Sequence, residues 1–166
     1  MRDTIRVGIM GGGWPGCMHT EALKTIRGVA VTAIAEPDPE RRAVFVKTYG
    51  CMDEFADYQS MLHAGRVNAV VVALPTGMHH QACIDAFAAG CHVLCEKPPT
   101  TTAAEMIAVA RAARRARRTY MFARQPRYRA DVLAARKLVQ AGRLGTIYHA
   151  ESKWIRTRGI PFGKGG

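Results

Sequence analysis

A short apolar run at the start of the chain leads directly into closely spaced glycines. Residues 4–10 have the pattern of a buried β-strand. Gly11, Gly13 and Gly16 follow in the order G-x-G-x-x-G, and a helical pattern begins behind them. In this motif the glycines permit a tight turn, a close approach of the backbone to a pyrophosphate, and close packing of the helix. Trp14 stands inside the motif, and the proline after it suits a first helical turn. We therefore predict that Gly11, Gly13, Trp14 and Gly16 bind a dinucleotide.

An acidic residue follows the second predicted strand. That strand covers residues 29–35, and Glu36 comes directly after it, twenty residues beyond Gly16. At this spacing a carboxylate can accept hydrogen bonds from an adenosine ribose. A carboxylate would also repel a ribose 2′-phosphate, so NAD is expected rather than NADP, although Arg41 and Arg42 lie close in sequence. The alternative is an exposed acidic residue of a turn.

A third apolar run, residues 69–74, has the continuous pattern of a strand in a parallel sheet covered on both faces. It ends in Pro75 and Thr76, and His79 follows near the start of a helix. Ligands of open parallel sheets bind outside the carboxyl ends of the strands. We predict that all three residues belong to the coenzyme site, with structural packing as the alternative for His79.

A fourth run, residues 91–95, ends abruptly in Glu96, Lys97 and Pro98. A strand of this kind places Lys97 at the edge of the sheet, beside the glycine loop. We expect Glu96 to hold the Lys97 ammonium by a charge-assisted hydrogen bond. The four strand ends are therefore predicted to form one crevice, and the alternative for Lys97 is a solvated surface lysine.

The ordered set of motifs resembles the Gfo/Idh/MocA family, which includes glucose-fructose oxidoreductase and inositol 2-dehydrogenase. Each motif is common by itself, but their combination is specific, and the likeness runs along the whole chain. The matching segments are Gly11-x-Gly13-x-x-Gly16-x-x-His19, Glu36-Pro37-Asp38, Pro75-Thr76-x-x-His79, and residues 89–98.

The resemblance implies an NAD(P)-dependent oxidoreductase that transfers a hydride to or from a secondary alcohol of a sugar, cyclitol or related polyol. It implies that Lys97 is catalytic, with contacts to the substrate oxygen and the nicotinamide, and that Gln125 lies near the nicotinamide. Family members carry an Asp-x-x-x-His type pair in a second domain, and the chain ends before such a pair. We therefore expect a dinucleotide-binding domain in residues 1–123 and the start of a truncated substrate and oligomerisation domain in residues 124–166.

The basic character of the chain is confined to its last third. Residues 1–110 hold 9 Lys and Arg against 11 Asp and Glu, whereas residues 111–166 hold 15 against 2. A solvated helix face with favourable dipole interactions accounts for the first arginines of this segment. Aromatic residues that stack on bases are not interleaved with them, so a nucleic-acid partner is not expected. These arginines are Arg111, Arg114, Arg115, Arg117 and Arg118.

The remaining composition favours a cytoplasmic protein without a metal. The five cysteines are odd in number and form no Cys-x-x-Cys pair, which argues against a disulfide framework or a zinc ribbon. His79, His80 and Cys83 lie within one helical turn, but a helix start with a buried thiol explains them, so no metal is predicted. We expect no signal peptide and no membrane span.

The alternation of strands and helices predicts an α/β fold with a doubly wound parallel sheet, followed by the first helix and strand of an incomplete α+β domain. The last strand, residues 146–156, would either pair with another copy, which predicts a homo-oligomer, or be loosely ordered. His19 is interpreted as a packing or solvent-facing residue, and Trp154 and Arg156 as candidate lining of a substrate pocket. The alternative to an enzyme is a non-catalytic dinucleotide-binding regulatory or scaffold module. Helices are predicted at residues 15–27, 39–49, 58–63, 79–89, 103–117 and 127–141, with short strands near Cys51 and at 118–122.

Overall fold

A computed structural model describes residues 4–50, 53–153 and 155. Backbone contacts divide the chain into two compact units, residues 1–123 and residues 124–166. The first unit contains the sheet and the predicted dinucleotide site. The assignment of the second unit to a substrate domain stays a prediction.

The first unit is built around a six-stranded sheet in which every pairing is parallel. The strand order is β3-β2-β1-β4-β5-β6, so the order reverses between β1 and β4. This is the doubly wound arrangement that the alternation of elements predicts, and it is confirmed. The strands are β1 (Ile5–Met10), β2 (Val29–Ala35), β3 (Asp53–Phe55), β4 (Ala69–Val72), β5 (His92–Cys95) and β6 (Tyr120–Phe122).

The helices between the strands agree with the predicted ones, apart from their ends. One difference concerns the site, because the fourth helix begins at Thr76 rather than at His79. Pro75 precedes it with an extended conformation, which suits the residue before a helix. The helices are α1 (Trp14–Lys24), α2 (Pro39–Tyr49), α3 (Tyr58–His63), α4 (Thr76–Ala88) and α5 (Ala103–Ala116).

Both faces of the sheet carry buried apolar side chains. Met10, Val72 and Val93 belong to one cluster with residues of α3, α4 and α5. Ile9 and Val71, which point to the opposite face, belong to a second cluster with residues of α1 and α2. Burial on both faces explains the continuous apolar runs of the sequence.

The second unit holds a short 3₁₀-helix at Gln125–Tyr128 and a helix α6 at Ala130–Gln140. The prediction of one helix over residues 127–141 is therefore right for most of its length. The predicted strand at residues 146–156 is wrong for the part that the structure describes, because residues 146–153 form no strand. A strand needs neighbours for its backbone groups and its apolar face, and Tyr148 is fully exposed here. Trp154 and Arg156 lie outside the described residues.

The arginines at the end of α5 are exposed, as a solvated helix face requires. Arg118 also donates a hydrogen bond from Nε to the backbone oxygen of Gly90, at 2.5 Å. Among the helices that the structure describes, none is long and apolar enough to cross a membrane.

We predict that Thr102 stabilises the start of α5. Its hydroxyl accepts the Glu105 backbone N–H at 3.2 Å, and the Glu105 carboxylate accepts the Thr102 N–H at 3.2 Å, which completes a capping box. Thr102→Ala should lower the free energy of unfolding by about 1 kcal/mol, whereas Thr102→Ser should preserve it. Urea denaturation of the two variants measures the difference, and equal stabilities would contradict a capping role.

Candidate functional site

Four loops leave the carboxyl ends of β1, β2, β4 and β5 at the same edge of the sheet. These strands are neighbours and parallel, so the predicted site residues of the first unit lie along one edge rather than on opposite sides of the molecule. The reversal of strand order between β1 and β4 makes this edge the usual position of a ligand crevice.

Two glycines of the loop after β1 are required by the protein itself. Gly11 has a φ of 99°, and a side-chain carbon at this residue would lie 2.6 Å from the Ala73 backbone oxygen. A side-chain carbon at Gly16 would collide with the backbone oxygen of Gly11. The loop therefore lies against β4 on one side and against its own helix on the other.

Gly13 has no such internal reason to be glycine. Its φ of −70° and ψ of −179° are available to any residue, and the nearest atom to an added side-chain carbon is 3.8 Å away. Gly13 precedes α1, and the described side chains provide no cap at this helix start. Trp14 begins α1 and is 76% exposed. Open space beside an uncapped helix start is what an approaching phosphate requires.

Glu36 is buried and holds the glycine loop. Its Oε2 accepts the Gly12 backbone N–H at 2.7 Å, and its Oε1 accepts the Asp38 N–H at 3.1 Å. Only 4% of the residue is exposed. Arg41 Nη1 lies 3.6 Å from Oε1, so the carboxylate also has a partly exposed positive neighbour. The predicted contact of Glu36 with a ribose stays a prediction, and the structure adds the role of holding the loop.

Glu96 is the corresponding buried carboxylate after β5. Its Oε1 lies 2.8 Å from His19 Nε2, and its Oε2 accepts the Lys97 backbone N–H at 2.8 Å. Glu96 therefore holds the backbone of Lys97, and the predicted contact with the Lys97 ammonium stays a prediction. Lys97 itself is exposed at the edge of the sheet.

His19 packs against Glu96, which agrees with the interpretation of His19 as a packing residue. It lies on α1, one turn beyond Gly16, and its contact with Glu96 joins the glycine-loop helix to the loop that carries Lys97. The x-x-His extension of the glycine motif is the sequence feature that indicates the position of His19. Its spacing places the imidazole on the turn of α1 that follows the glycines.

His79 is buried, with only 1% of its surface exposed. Its Nδ1 lies 2.8 Å from the Pro98 backbone oxygen, and its Nε2 lies 2.7 Å from the Leu74 backbone oxygen. Both ring nitrogens are engaged within the protein, so this geometry favours the packing alternative over direct contact with a coenzyme. Pro75 is exposed and Thr76 half-buried at the start of α4, beside this contact.

Gln125 belongs to the second unit, where it begins the 3₁₀-helix. Its predicted position near a nicotinamide stays a prediction. Within the described ranges, His, Cys, Asp and Glu form no group of three that could hold a metal ion.

Comparison with known proteins identifies the family to which these motifs and this geometry belong. Residues 5–124 match the model of the Gfo/Idh/MocA oxidoreductase family, described by its NAD-binding Rossmann fold. The chain belongs to this family. We therefore expect this part of a Gfo/Idh/MocA protein to bind NAD.

Three relatives show the extent of the likeness. Inositol 2-dehydrogenase of Streptomyces avermitilis is 33% identical over 147 residues, which cover 87% of this chain and 43% of the relative. D-glucoside 3-dehydrogenase of Escherichia coli is 28% identical over 158 residues, which cover 95% and 45%. The crystal structure of scyllo-inositol dehydrogenase from Lactobacillus casei, with bound NAD(H) and scyllo-inositol, has a TM-score of 0.82 at 26% identity, over 86% of this chain and 43% of that chain. The chain spans less than half the length of these family members.

Because Gly13 and Gly16 have different surroundings, we predict that substitution of Gly16 lowers stability, whereas substitution of Gly13 lowers the affinity for NAD. Gly16→Ala should destabilise the fold by about 1–3 kcal/mol, because the new carbon meets backbone that cannot move aside. Gly13→Ala should change stability by no more than about 1 kcal/mol but weaken NAD binding by on the order of tenfold or more, because the methyl group occupies the space of the pyrophosphate. Thermal denaturation and titration calorimetry measure the two effects, and unchanged NAD affinity in Gly13→Ala would refute the loop as the phosphate site.

Proposed function

We propose that this chain is the coenzyme-binding part of an NAD-dependent oxidoreductase that transfers a hydride to or from a secondary alcohol. The observation that carries the proposal is the connection of the glycine loop to two acidic loops of the same sheet edge. Glu36 accepts the Gly12 N–H from one side, and Glu96 meets His19 of the glycine-loop helix from the other. A coenzyme on the glycine loop would thus extend between a ribose-binding carboxylate and the Lys97 segment.

The residues of this edge fit a dinucleotide in three respects. Gly13 leaves room for close backbone approach, and the start of α1 supplies a positive dipole end to the pyrophosphate. Glu36 carries a negative charge that is fixed in position by two backbone donors. When bound, NAD supplies the hydride acceptor, and the chain supplies position and electrostatics.

Lys97 is the proposed catalytic residue. Its backbone is held by Glu96 while its side chain is exposed at the edge, so the ammonium can reach a substrate oxygen. A hydrogen bond from an ammonium stabilises negative charge on that oxygen as the alcohol is converted to a ketone.

The substrate class is proposed from the relatives. The similar proteins are named for inositols and a D-glucoside, all of which carry secondary hydroxyl groups on a ring. We therefore propose a sugar, cyclitol or related polyol as the substrate, in a protein whose further residues complete the substrate site. Assembly as a homo-oligomer and a cytoplasmic location stay predictions of the sequence.

We predict that NAD binds more tightly than NADP. A 2′-phosphate beside the buried Glu36 carboxylate would meet a charge that solvent screens little and that the exposed Arg41, 3.6 Å away, offsets only in part. The affinity for NADP should therefore be lower by on the order of tenfold or more. Glu36→Gln keeps one oxygen for the Gly12 N–H and removes the charge, and it should narrow the preference. Titration calorimetry with both dinucleotides provides the test, and a wild-type preference for NADP would overturn the assignment of Glu36.

We predict that Lys97→Ala lowers turnover by roughly a hundredfold or more, with a much smaller loss of NAD affinity. The control is Lys47→Ala, which removes an exposed lysine of α2. Turnover is followed by NADH absorbance with inositols and glucosides, in the protein that carries this chain. Equal losses of turnover and affinity would assign Lys97 to coenzyme binding alone, and NAD binding without turnover of any polyol would favour a non-catalytic module.

A further inference from the structure

The contacts of His79 require more hydrogen-bond donors than a neutral histidine has. Nδ1 lies 2.8 Å from the Pro98 oxygen and Nε2 lies 2.7 Å from the Leu74 oxygen. Both partners are backbone carbonyl oxygens, which only accept hydrogen bonds. A neutral imidazole carries one N–H, so one ring nitrogen would direct a lone pair at a carbonyl oxygen. The doubly protonated imidazolium satisfies both contacts.

We propose that His79 is a buried imidazolium cation that positions Lys97 by joining the loop after β4 to the loop after β5. The Leu74 carbonyl directly precedes Pro75 and Thr76, and the Pro98 carbonyl directly follows Lys97. One charged side chain therefore supports the backbone on both sides of the catalytic edge. His79 is thus a positioning residue that acts through the backbone of the two loops.

The surroundings of His79 favour its charged form. Burial alone would lower the pKa of His79, but the neighbouring Cys95 thiol and the carbonyls of Pro98 and Leu74 outweigh burial and raise the pKa above the ordinary value of 6.5. Charged hydrogen bonds to fixed carbonyl dipoles are stronger than neutral ones. They become stronger still where water is excluded.

Titratable groups from three elements adjoin this contact. A hydrogen bond from Cys83 on α4 lowers the pKa of Cys95 on β5 to about 6, against the effect of burial and with further help from His79 and Tyr120 on β6. The same interaction raises the pKa of Cys83, together with burial. The pKa of Tyr120 is raised, first by burial and then by the two cysteines. The Cys95 Sγ lies 3.5 Å from the Glu96 backbone oxygen and 3.8 Å from the Pro99 backbone oxygen, and both oxygens accept from the thiol.

The protonation of His79 does not depend on the proposed function. Only the part of the proposal that concerns the action of Lys97 on substrate rests on the proposed function. Two experiments separate these parts. The first reads the ring nitrogens directly, and the second reads stability and turnover as functions of pH.

Nitrogen-15 NMR of histidine side chains tests the cation. At pH 7.5, one histidine should show two protonated ring nitrogens, and this signal should be missing from the spectrum of His79→Gln. His63→Gln, which changes an exposed histidine of α3, should retain the signal. A His79 ring with one unprotonated nitrogen at that pH would overturn the proposal, whatever the enzyme does.

Stability against pH gives the second test. Because the pKa of His79 is raised in the folded state, its contribution is fully present below pH 6.5 and is lost as pH rises through the folded-state value. The difference in denaturation midpoint between wild type and His79→Gln should therefore shrink as pH rises above 6.5. A His79→Gln difference that does not change with pH would contradict a cation.

Turnover should also depend on the protonation of His79. His79→Gln should lower turnover by on the order of tenfold to a hundredfold through misplacement of Lys97, with a smaller change in NAD affinity. Wild-type turnover should decline toward alkaline pH as His79 loses its proton, and the pH profile of His79→Gln should lack this decline. Unchanged turnover in His79→Gln would refute the positioning role. A wild-type protein that neither binds NAD nor turns over polyols would refute the proposed function, while NMR and stability would still decide the charge of His79.

Discussion

Two buried carboxylates determine the shape of the functional edge of the sheet. Glu36 follows β2 and accepts the Gly12 N–H of the neighbouring loop and the Asp38 N–H of its own loop. Glu96 follows β5, accepts the Lys97 N–H of its own loop and contacts His19 of α1. A carboxylate that leaves water without partners is costly, so a buried one requires its donors to stay in place. The hydrogen bonds that these buried carboxylates require therefore hold the loops in place. The apolar runs of the strands bring the carboxylates to this edge, but they do not arrange the loops.

The contacts connect neighbouring loops across the switch in strand order. Glu36 joins the loops after β2 and β1, and Gly11 lies against the backbone of Ala73 after β4. His79 then joins the loops after β4 and β5, and His19 connects α1 to the loop after β5. Each loop is held by at least one neighbour through a backbone contact or a charged group. A site built in this way keeps its geometry before any ligand arrives, which is what precise positioning of a coenzyme requires.

Local patterns predicted the sheet and the glycine loop correctly, because they depend on residues close in sequence. The apolar runs, the glycine spacing and the acidic residue after β2 each follow from neighbouring positions. The contact of His19 with Glu96 joins residues 77 positions apart, and no local pattern contains it. The strand expected at residues 146–156 failed for a related reason. Alternation there resembles a half-buried strand, but a strand also needs a partner that alternation does not supply.

The position of Lys97, the proposed catalytic residue, depends on contacts of the main chain around it. Its backbone N–H is held by Glu96, and the carbonyl of the next residue is held by His79. Both contacts act on the main chain, and the side chain is exposed. Anchoring through the backbone on both sides of Lys97 therefore fixes the point from which its side chain extends.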